Sequence, residues 1–150
     1  MKILVSACLL GQDCKYSGGN NRNDDLLKWL ENHEVISVCP ELMGGLSTPR
    51  PCAEIVGDQV MNDQGQDVTK EYLYGADHCT KIALDQQVDL AILQPRSPSC
   101  GCGIIYDGSF QGRLKAGDGV TTRMLKQAGI PVFSGDQLEN FSRLINKFQK

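Results

Sequence analysis

Residues 3–7 read ILVSA, a short apolar run that leads directly into Cys8. A continuous run of this kind predicts a strand that is buried on both faces, as in a parallel sheet. Similar runs follow further along the chain, and each is bounded by proline or by polar residues. We therefore predict core strands at Ile3–Ala7, Glu34–Cys39, Leu90–Leu93 and Pro131–Ser134.

Helical patterns separate these strands. Asn23 or Asp24 is placed to cap a short helix, and Thr69 to cap a longer one. Apolar residues at helical spacing predict the faces that pack on the core: Leu26, Leu27 and Leu30 in the first helix, Tyr72, Ala76, Cys79 and Ala83 in the second, Val120, Met124, Leu125 and Ala128 in the third, closed by Gly129, and Leu138, Phe141, Ile145 and Phe148 in the last.

A small β-hairpin is predicted between the second strand and the long helix. Its first strand is Ile55–Val60, its turn is Asn62–Gly65, and the chain returns at Gln66–Val68. Strands that alternate with helices indicate an α/β fold with a mainly parallel sheet and helices on both faces, of the Rossmann-like or flavodoxin-like kind. We expect residues 1–150 to form a single domain.

Composition restricts the function classes. The net charge is −3, and the Lys and Arg residues are scattered, which disfavours nucleic acid as the main partner because such binding relies on clustered phosphate contacts. No stretch approaches the roughly 20 apolar residues of a membrane span, and the N-terminal apolar run is too short for a signal peptide. We expect a cytoplasmic protein.

Cysteine is the unusual feature of the composition. The chain has seven cysteines among its 150 residues, an odd number in a domain of a size that needs no disulfide staples. In a reducing compartment, cysteines at this density bind metal or take part in chemistry.

Three of these cysteines follow three of the predicted strands, within loops rich in glycine and proline. Cys8 follows the first strand, Cys39 ends the second, and Cys100 lies in the loop after the third. Ligands of parallel sheets bind at the carboxyl ends of the strands, so the three thiols can converge there. Three soft thiolates would suit an iron–sulfur cluster, Cu(I) or zinc, and the spacing alone does not choose among these.

Two other interpretations of the cysteines stay open at this point. The chain could be a zinc- or iron-binding module without turnover. Alternatively, it could be a thiol redox enzyme that uses Cys100 with Cys102, or Cys8 with Cys14. Cys79 falls on the apolar face of a helix and is predicted to be a core residue.

The motifs resemble those of the thiouracil desulfurase family. The resemblance rests on the SACLLG opening at 6–11, the CPE, GGL and PRP segments within 39–51, and SPSCG at 97–101. It extends through further segments as far as 132–134 and so covers nearly the whole chain. The family often has Asp in the stretch where this chain has Lys15-Tyr16-Ser17-Gly18, so the substrate is less closely specified than the cluster.

The resemblance implies an oxygen-sensitive [4Fe–4S] cluster that is held by Cys8, Cys39 and Cys100, with one iron free of protein ligands. It further implies conversion of 2-thiouracil, or a related small thiolated pyrimidine, to uracil and hydrosulfide, with a thiolated tRNA position as a less favoured substrate. Glu41 and Ser97 would be the catalytic acid/base groups, with Glu41 activating the attacking water. We also predict Tyr16 and Ser99, which lie in or beside these motifs, as substrate-binding residues.

Overall fold

The structure is a computed structural model that describes residues 1–137 together with Glu139 and Arg143. Within these residues, parallel strands form the central sheet: β1 (Lys2–Ser6), β2 (Glu34–Val38), β5 (Leu90–Leu93) and β8 (Val132–Ser134). The strand order is β2-β1-β5-β8, and all three pairings are parallel. The predicted α/β fold class and the four core strands are confirmed, with bounds that differ by one residue at most.

Helices cover both faces of this sheet, as predicted. The described helices are α1 (Asp24–Leu30), α2 (Pro40–Met43), α3 (Thr69–Asp85) and α4 (Val120–Gln127), and a 3₁₀ turn spans Ala7–Leu10. On one face, Leu26 and Leu30 of α1 pack against Ile3 and Val5. The other face carries α3 and α4, where Cys79, Ala83 and Leu125 pack against Leu4 and Leu93. Alternate residues of each buried strand thus serve opposite faces.

The local predictions for the helices were correct in part, and Ala128, predicted on the core face of α4, is exposed. Asn23 caps α1, since its side chain accepts a hydrogen bond from the Leu26 N–H, whereas Leu27 is only half-buried. Thr69 is not the cap of α3 but its first helical residue. Its hydroxyl accepts the Val60 N–H at 2.8 Å and donates to Asp67, so it joins the helix to the neighbouring hairpin.

The hairpin turn lies earlier than predicted. The strands are β3 (Ala53–Val56) and β4 (Gln59–Asn62), which pair antiparallel through a turn at Gly57 and Asp58. Gly57 has φ of 64°, a left-handed conformation that glycine adopts without a Cβ penalty. The segment 62–65 does form a turn, but it follows the hairpin and leads to a bridge between Met61 and Asp67.

A second hairpin was not predicted. It consists of β6 (Ile104–Tyr106) and β7 (Leu114–Ala116), which pair antiparallel between β5 and α4. The predicted final helix with Leu138, Phe141, Ile145 and Phe148 falls outside the described residues. Among those that are described, no helix has the length and apolar character to cross a membrane.

Candidate active site

The loops that follow β1, β2 and β5 meet at the carboxyl edge of the sheet and enclose a cavity of about 400 Å³. The direction of strand addition reverses between β1 and β5, so the cavity lies at the switch point where α/β sheets commonly bind ligands. Six of the predicted site residues line it: Cys8, Cys39, Cys100, Glu41, Ser97 and Tyr16.

Each cysteine reaches the cavity from a different local structure. Cys8 lies in the 3₁₀ turn after β1, Cys39 is the N-cap residue of α2, and Cys100 lies in the loop after β5. Cys8 and Cys100 are buried and Cys39 is half-buried. Every cysteine of the described chain is a free thiol.

Cys14 brings a fourth sulfur to the same cavity. It is 2% exposed, and its carbonyl oxygen accepts a hydrogen bond from the Cys39 thiol at 3.9 Å. Hydrogen bonding by the Cys14 side chain is the largest cause of a lowered pKa at Cys8 and of a pKa lowered to about 7 at Cys39. The same bonds raise the pKa of Cys14, because the proton that it donates stays on it. Cys14 thus favours the thiolate form of both neighbours.

Cys100 differs from the other two predicted ligands. Burial is the main cause that raises the pKa of its thiol, and the negative charge of Glu41 adds to it. The Ser99 hydroxyl lies 3.7 Å from its sulfur and partly offsets both effects. A bound metal cation would stabilise the thiolate form of this buried sulfur, which has no positive charge beside it to do so.

The loop that carries Cys100 is tied to the start of α4. The Val120 N–H donates to the Pro98 carbonyl at 2.8 Å, and the Thr121 N–H donates to the Ser99 carbonyl at 2.9 Å. The Thr122 hydroxyl donates to the Cys100 carbonyl at 2.9 Å. These bonds hold the Cys100 backbone in place without the use of its sulfur.

Ser97 belongs to this loop and faces the cavity. Its Oγ accepts the Cys100 N–H at 2.6 Å. Because this bond uses an oxygen lone pair, the hydroxyl proton of Ser97 remains available to an acceptor in the cavity.

Glu41 stands on α2, where it is held by Arg50. The distance from Arg50 Nη2 to Glu41 Oε2 is 2.6 Å, and the two side chains are 4% and 16% exposed. The same Nη2 donates to the Cys14 carbonyl at 2.9 Å, so Arg50 links the carboxylate to the segment that carries Cys14. Within residues 1–137, Oε1 of Glu41 has no hydrogen-bond partner and is not enclosed, which leaves it free for a molecule in the cavity.

The position of α2 depends on close contact with α3. An added Cβ on Gly75 would lie 1.9 Å from the Pro40 carbonyl oxygen, and one on Gly44 would lie 1.9 Å from the Glu71 carbonyl oxygen. Only glycine permits this approach of the two backbones. The contact fixes the helix that carries Glu41 and begins at Cys39.

The two predicted substrate-binding residues have different positions. Tyr16 is 49% exposed and lines the cavity. Ser99 is fully buried, its hydroxyl lies 2.7 Å from the Thr121 hydroxyl, and it is not part of the cavity wall. The structure therefore gives Ser99 contacts with Thr121 and the Cys100 sulfur instead of contact with the cavity.

Several cavity residues were not recognised as site residues from the sequence. Tyr72 was assigned only to the core stripe of the long helix, and it also lines the cavity. Glu54 lines the cavity, is buried, and accepts the N–H groups of Gly108 and Phe110, which joins the two hairpins. Gln94 accepts the Cys8 thiol at 3.8 Å. These are contacts between distant segments, and the sequence carried no local signal for them.

The donor set suits a multi-metal cluster. In the described part of the chain, no three His, Cys, Asp or Glu side chains are grouped so that they could hold a single metal ion. An iron–sulfur cluster binds each thiolate at a different iron, so its ligands are spread around the cluster. Soft thiolates that come from three strand ends and line one cavity fit such a group.

A family model described as 2-thiouracil desulfurase matches residues 3–137. The chain belongs to the 2-thiouracil desulfurase family. Among similar proteins, this desulfurase-family chain is 40% identical over 148 residues to uncharacterized protein YbbK of Bacillus subtilis, with 92% of this chain and 98% of YbbK covered.

The solved structure of a [4Fe–4S]-dependent thiouracil desulfidase, TudS, matches this desulfurase-family chain with a TM-score of 0.89. The sequence identity is 44%, and the match covers 97% of each chain. The predicted family is thus confirmed, and the alternatives of a metal-binding module without turnover and of a thiol redox enzyme are not favoured.

Proposed function

We propose that this protein removes sulfur from 2-thiouracil, or from a closely related small thiolated pyrimidine, and releases uracil and hydrosulfide. The reaction uses a [4Fe–4S] cluster, held by Cys8, Cys39 and Cys100. The family and the likeness to TudS support the reaction class. The observation that carries the assignment of residues is that three thiols from three strand ends line one cavity together with Glu41 and Ser97.

The bound cluster supplies an iron without a protein ligand, which acts as a Lewis acid toward the soft thiocarbonyl sulfur. The three cysteines would hold the cluster, and hydrogen bonding by the Cys14 side chain favours the thiolate form of Cys8 and Cys39. Hydrogen bonds to the sulfurs of such a cluster are among the factors that tune it.

Glu41 acts as the general base. Arg50 binds Oε2 of the carboxylate and leaves Oε1 open to the cavity, where it can accept a proton from a water molecule. The oxygen of this water forms the new bond to C2 of the pyrimidine, and the C2–S bond breaks. The proton on Glu41 is then passed to the departing sulfur, and the second proton of the water is lost as the C2 carbonyl forms, so that 2-thiouracil and water give uracil, hydrosulfide and one proton.

Ser97 donates the hydroxyl proton that its bond to Cys100 leaves free. This proton can hold the ring in place or relay a proton between Glu41 and the leaving group. Tyr16, at the exposed part of the cavity wall, offers its ring as a surface against which a pyrimidine can stack.

The test is anaerobic reconstitution with iron and sulfide, followed by cluster analysis and chromatographic detection of uracil formed from 2-thiouracil. The proposal expects about four irons per chain, loss of cluster in Cys39→Ser, and an unchanged cluster in Cys102→Ala, whose sulfur lies outside the cavity wall. Glu41→Gln should keep the cluster and lower kcat by about 10²–10⁴-fold. Full activity of Glu41→Gln with full cluster content would disprove the role of Glu41, and absence of uracil from the loaded wild type would disprove the reaction.

A further inference from the structure

Tyr72 combines a buried ring with a hydroxyl that has no protein partner. The residue lies on the buried stripe of α3 and is 5% exposed. Its ring packs in an apolar cluster with residues from both hairpins and from the two long helices: Ile55, Val60, Ala76, Ile105 and Val120. The ring position is therefore fixed by the core.

The hydroxyl of Tyr72 opens into the cavity. Tyr72 makes its backbone hydrogen bond to Val68, but its hydroxyl bonds to none of the described residues. No buried side-chain oxygen or nitrogen of the described chain is both enclosed and unpaired, so this hydroxyl must reach open space. Because Tyr72 is nearly buried and lines the cavity, that space is the cavity itself. Buried tyrosine hydroxyls normally have a partner, and here a ligand can supply it.

The surroundings keep this hydroxyl protonated. Burial is the main cause that raises the pKa of Tyr72, and the negative charge of Glu41 acts in the same direction. The close approach of α2 to α3 at Gly75 explains why Glu41 is near. At neutral pH the Tyr72 hydroxyl is therefore a hydrogen-bond donor.

The chemistry of the substrate identifies the matching acceptor. In its common tautomer 2-thiouracil has N–H groups at N1 and N3, a sulfur on C2 and one carbonyl oxygen, on C4. The ring nitrogens are donors, and sulfur is a weak acceptor. The carbonyl oxygen on C4 is thus the strong acceptor that a buried hydroxyl donor can bind.

We propose that the Tyr72 hydroxyl donates a hydrogen bond to the C4 carbonyl oxygen of the pyrimidine and thereby determines specificity for 4-oxo substrates. The inference rests on the proposed function and adds a specificity-determining residue to it. Tyr72 orients the ring from the helix side, while Glu41 and Ser97 act at the reacting carbon.

The experiment compares Tyr72→Phe with the wild type on two substrates, 2-thiouracil and pyrimidine-2-thione, which lacks the C4 oxygen. The variant should lower kcat/KM for 2-thiouracil about tenfold, mainly through a higher KM, since tenfold corresponds to about 1.4 kcal/mol, which lies within the range that one neutral hydrogen bond contributes. Turnover of pyrimidine-2-thione should stay within about twofold of the wild type. Tyr74→Phe is the matched control, because Tyr74 lies on the same helix, is 63% exposed and does not line the cavity.

A binding measurement accompanies the kinetics. Calorimetry on the protein with its cluster bound should show that Tyr72→Phe lowers the affinity for uracil by the same factor. The affinity for pyrimidin-2-one, which has no C4 oxygen, should be unchanged. Equal losses on both substrates, or no loss on either, would overturn the assignment of Tyr72 while the desulfurase function stands. If the wild type does not turn over 2-thiouracil, the proposed function fails. The binding of uracil then tests the role of Tyr72 separately. That role is refuted if uracil does not bind the wild type, or if it binds Tyr72→Phe equally well.

Discussion

Replacement of Arg50 by Met should destabilise the protein far more than an ordinary surface change. The Arg50 guanidinium donates four hydrogen bonds, to the carbonyls of Ser47 and Cys14, to the Thr48 hydroxyl and to the Glu41 carboxylate. Methionine fills a similar volume but leaves the Glu41 carboxylate only 16% exposed and without its cation. Removal of one partner from a buried ion pair costs about 3–5 kcal/mol, which corresponds to a fall in Tm of roughly 6–20 °C for a chain of this length.

The assay is urea unfolding of the cluster-free, reduced protein, followed by far-UV circular dichroism. Arg50→Lys should be intermediate, since an ammonium is a point charge that cannot reproduce the fork of the guanidinium. Arg50→Met combined with Glu41→Gln should be more stable than Arg50→Met alone, because the double variant contains no uncompensated buried charge. If Arg50→Met unfolds within about 1 kcal/mol of the wild type, or if Glu41→Gln gives it no relief, the ion pair does not hold this part of the site together.

Two further predictions concern the cysteines and the helix contact. In the cluster-free protein, the rate of alkylation of Cys39 should rise with pH around a pKa of about 7, and in Cys14→Ala this rise should occur at higher pH. Burial raises the pKa of Cys79 to about 12, so Cys79 should react only after unfolding. Peptide mass spectrometry measures both, and a Cys39 profile that is unchanged by Cys14→Ala would contradict the hydrogen-bond assignment. Gly75→Ala should lower the free energy of unfolding by about 1–3 kcal/mol and reduce cluster content, because its Cβ would overlap the Pro40 carbonyl. The control in the same unfolding assay is Gly19→Ala, where a Cβ would meet only a serine oxygen at 3.9 Å.

The predictions from the sequence were correct where burial is periodic. Strand β5 is buried at every residue and β1 at every residue after Lys2. The stripe of α3 from Tyr72 to Ala83 repeats at helical spacing, so these elements could be located from apolar residues. The hairpin turn was misplaced because both Gly57-Asp58 and Asn62–Gly65 have turn composition. Packing of β3 on β4, and not local preference, decides between them.

The cavity was predictable as a place but not as a set of contacts. Cysteines at the ends of parallel strands indicate a shared edge, and Cys8, Cys39 and Cys100 do line one cavity. Glu54 and Tyr72 act through contacts with segments far away in the sequence, so no local pattern could assign them, whereas the ion pair between Glu41 and Arg50 joins residues nine positions apart and could be expected from the sequence. For Ser99 the motif suggested a contact with substrate, whereas in the structure its hydroxyl is buried beside the Thr121 hydroxyl.

The distribution of the three cysteines over three loops requires a rigid scaffold. A Cys-x-x-Cys pair fixes two ligands within one turn of chain, whereas these three are joined only through the sheet and its helices. The structure meets this requirement with backbone contacts: Gly75 of α3 against Pro40 beside Cys39, and Gly119 before α4, where a Cβ would lie 2.4 Å from the Ser99 carbonyl oxygen beside Cys100. Both contacts connect a ligand loop to a helix that is itself packed on the sheet. Substitutions at these glycines should therefore change the geometry of the cluster site although the glycines do not contact it. The residues that position the thiols are thus distinct from the groups that react.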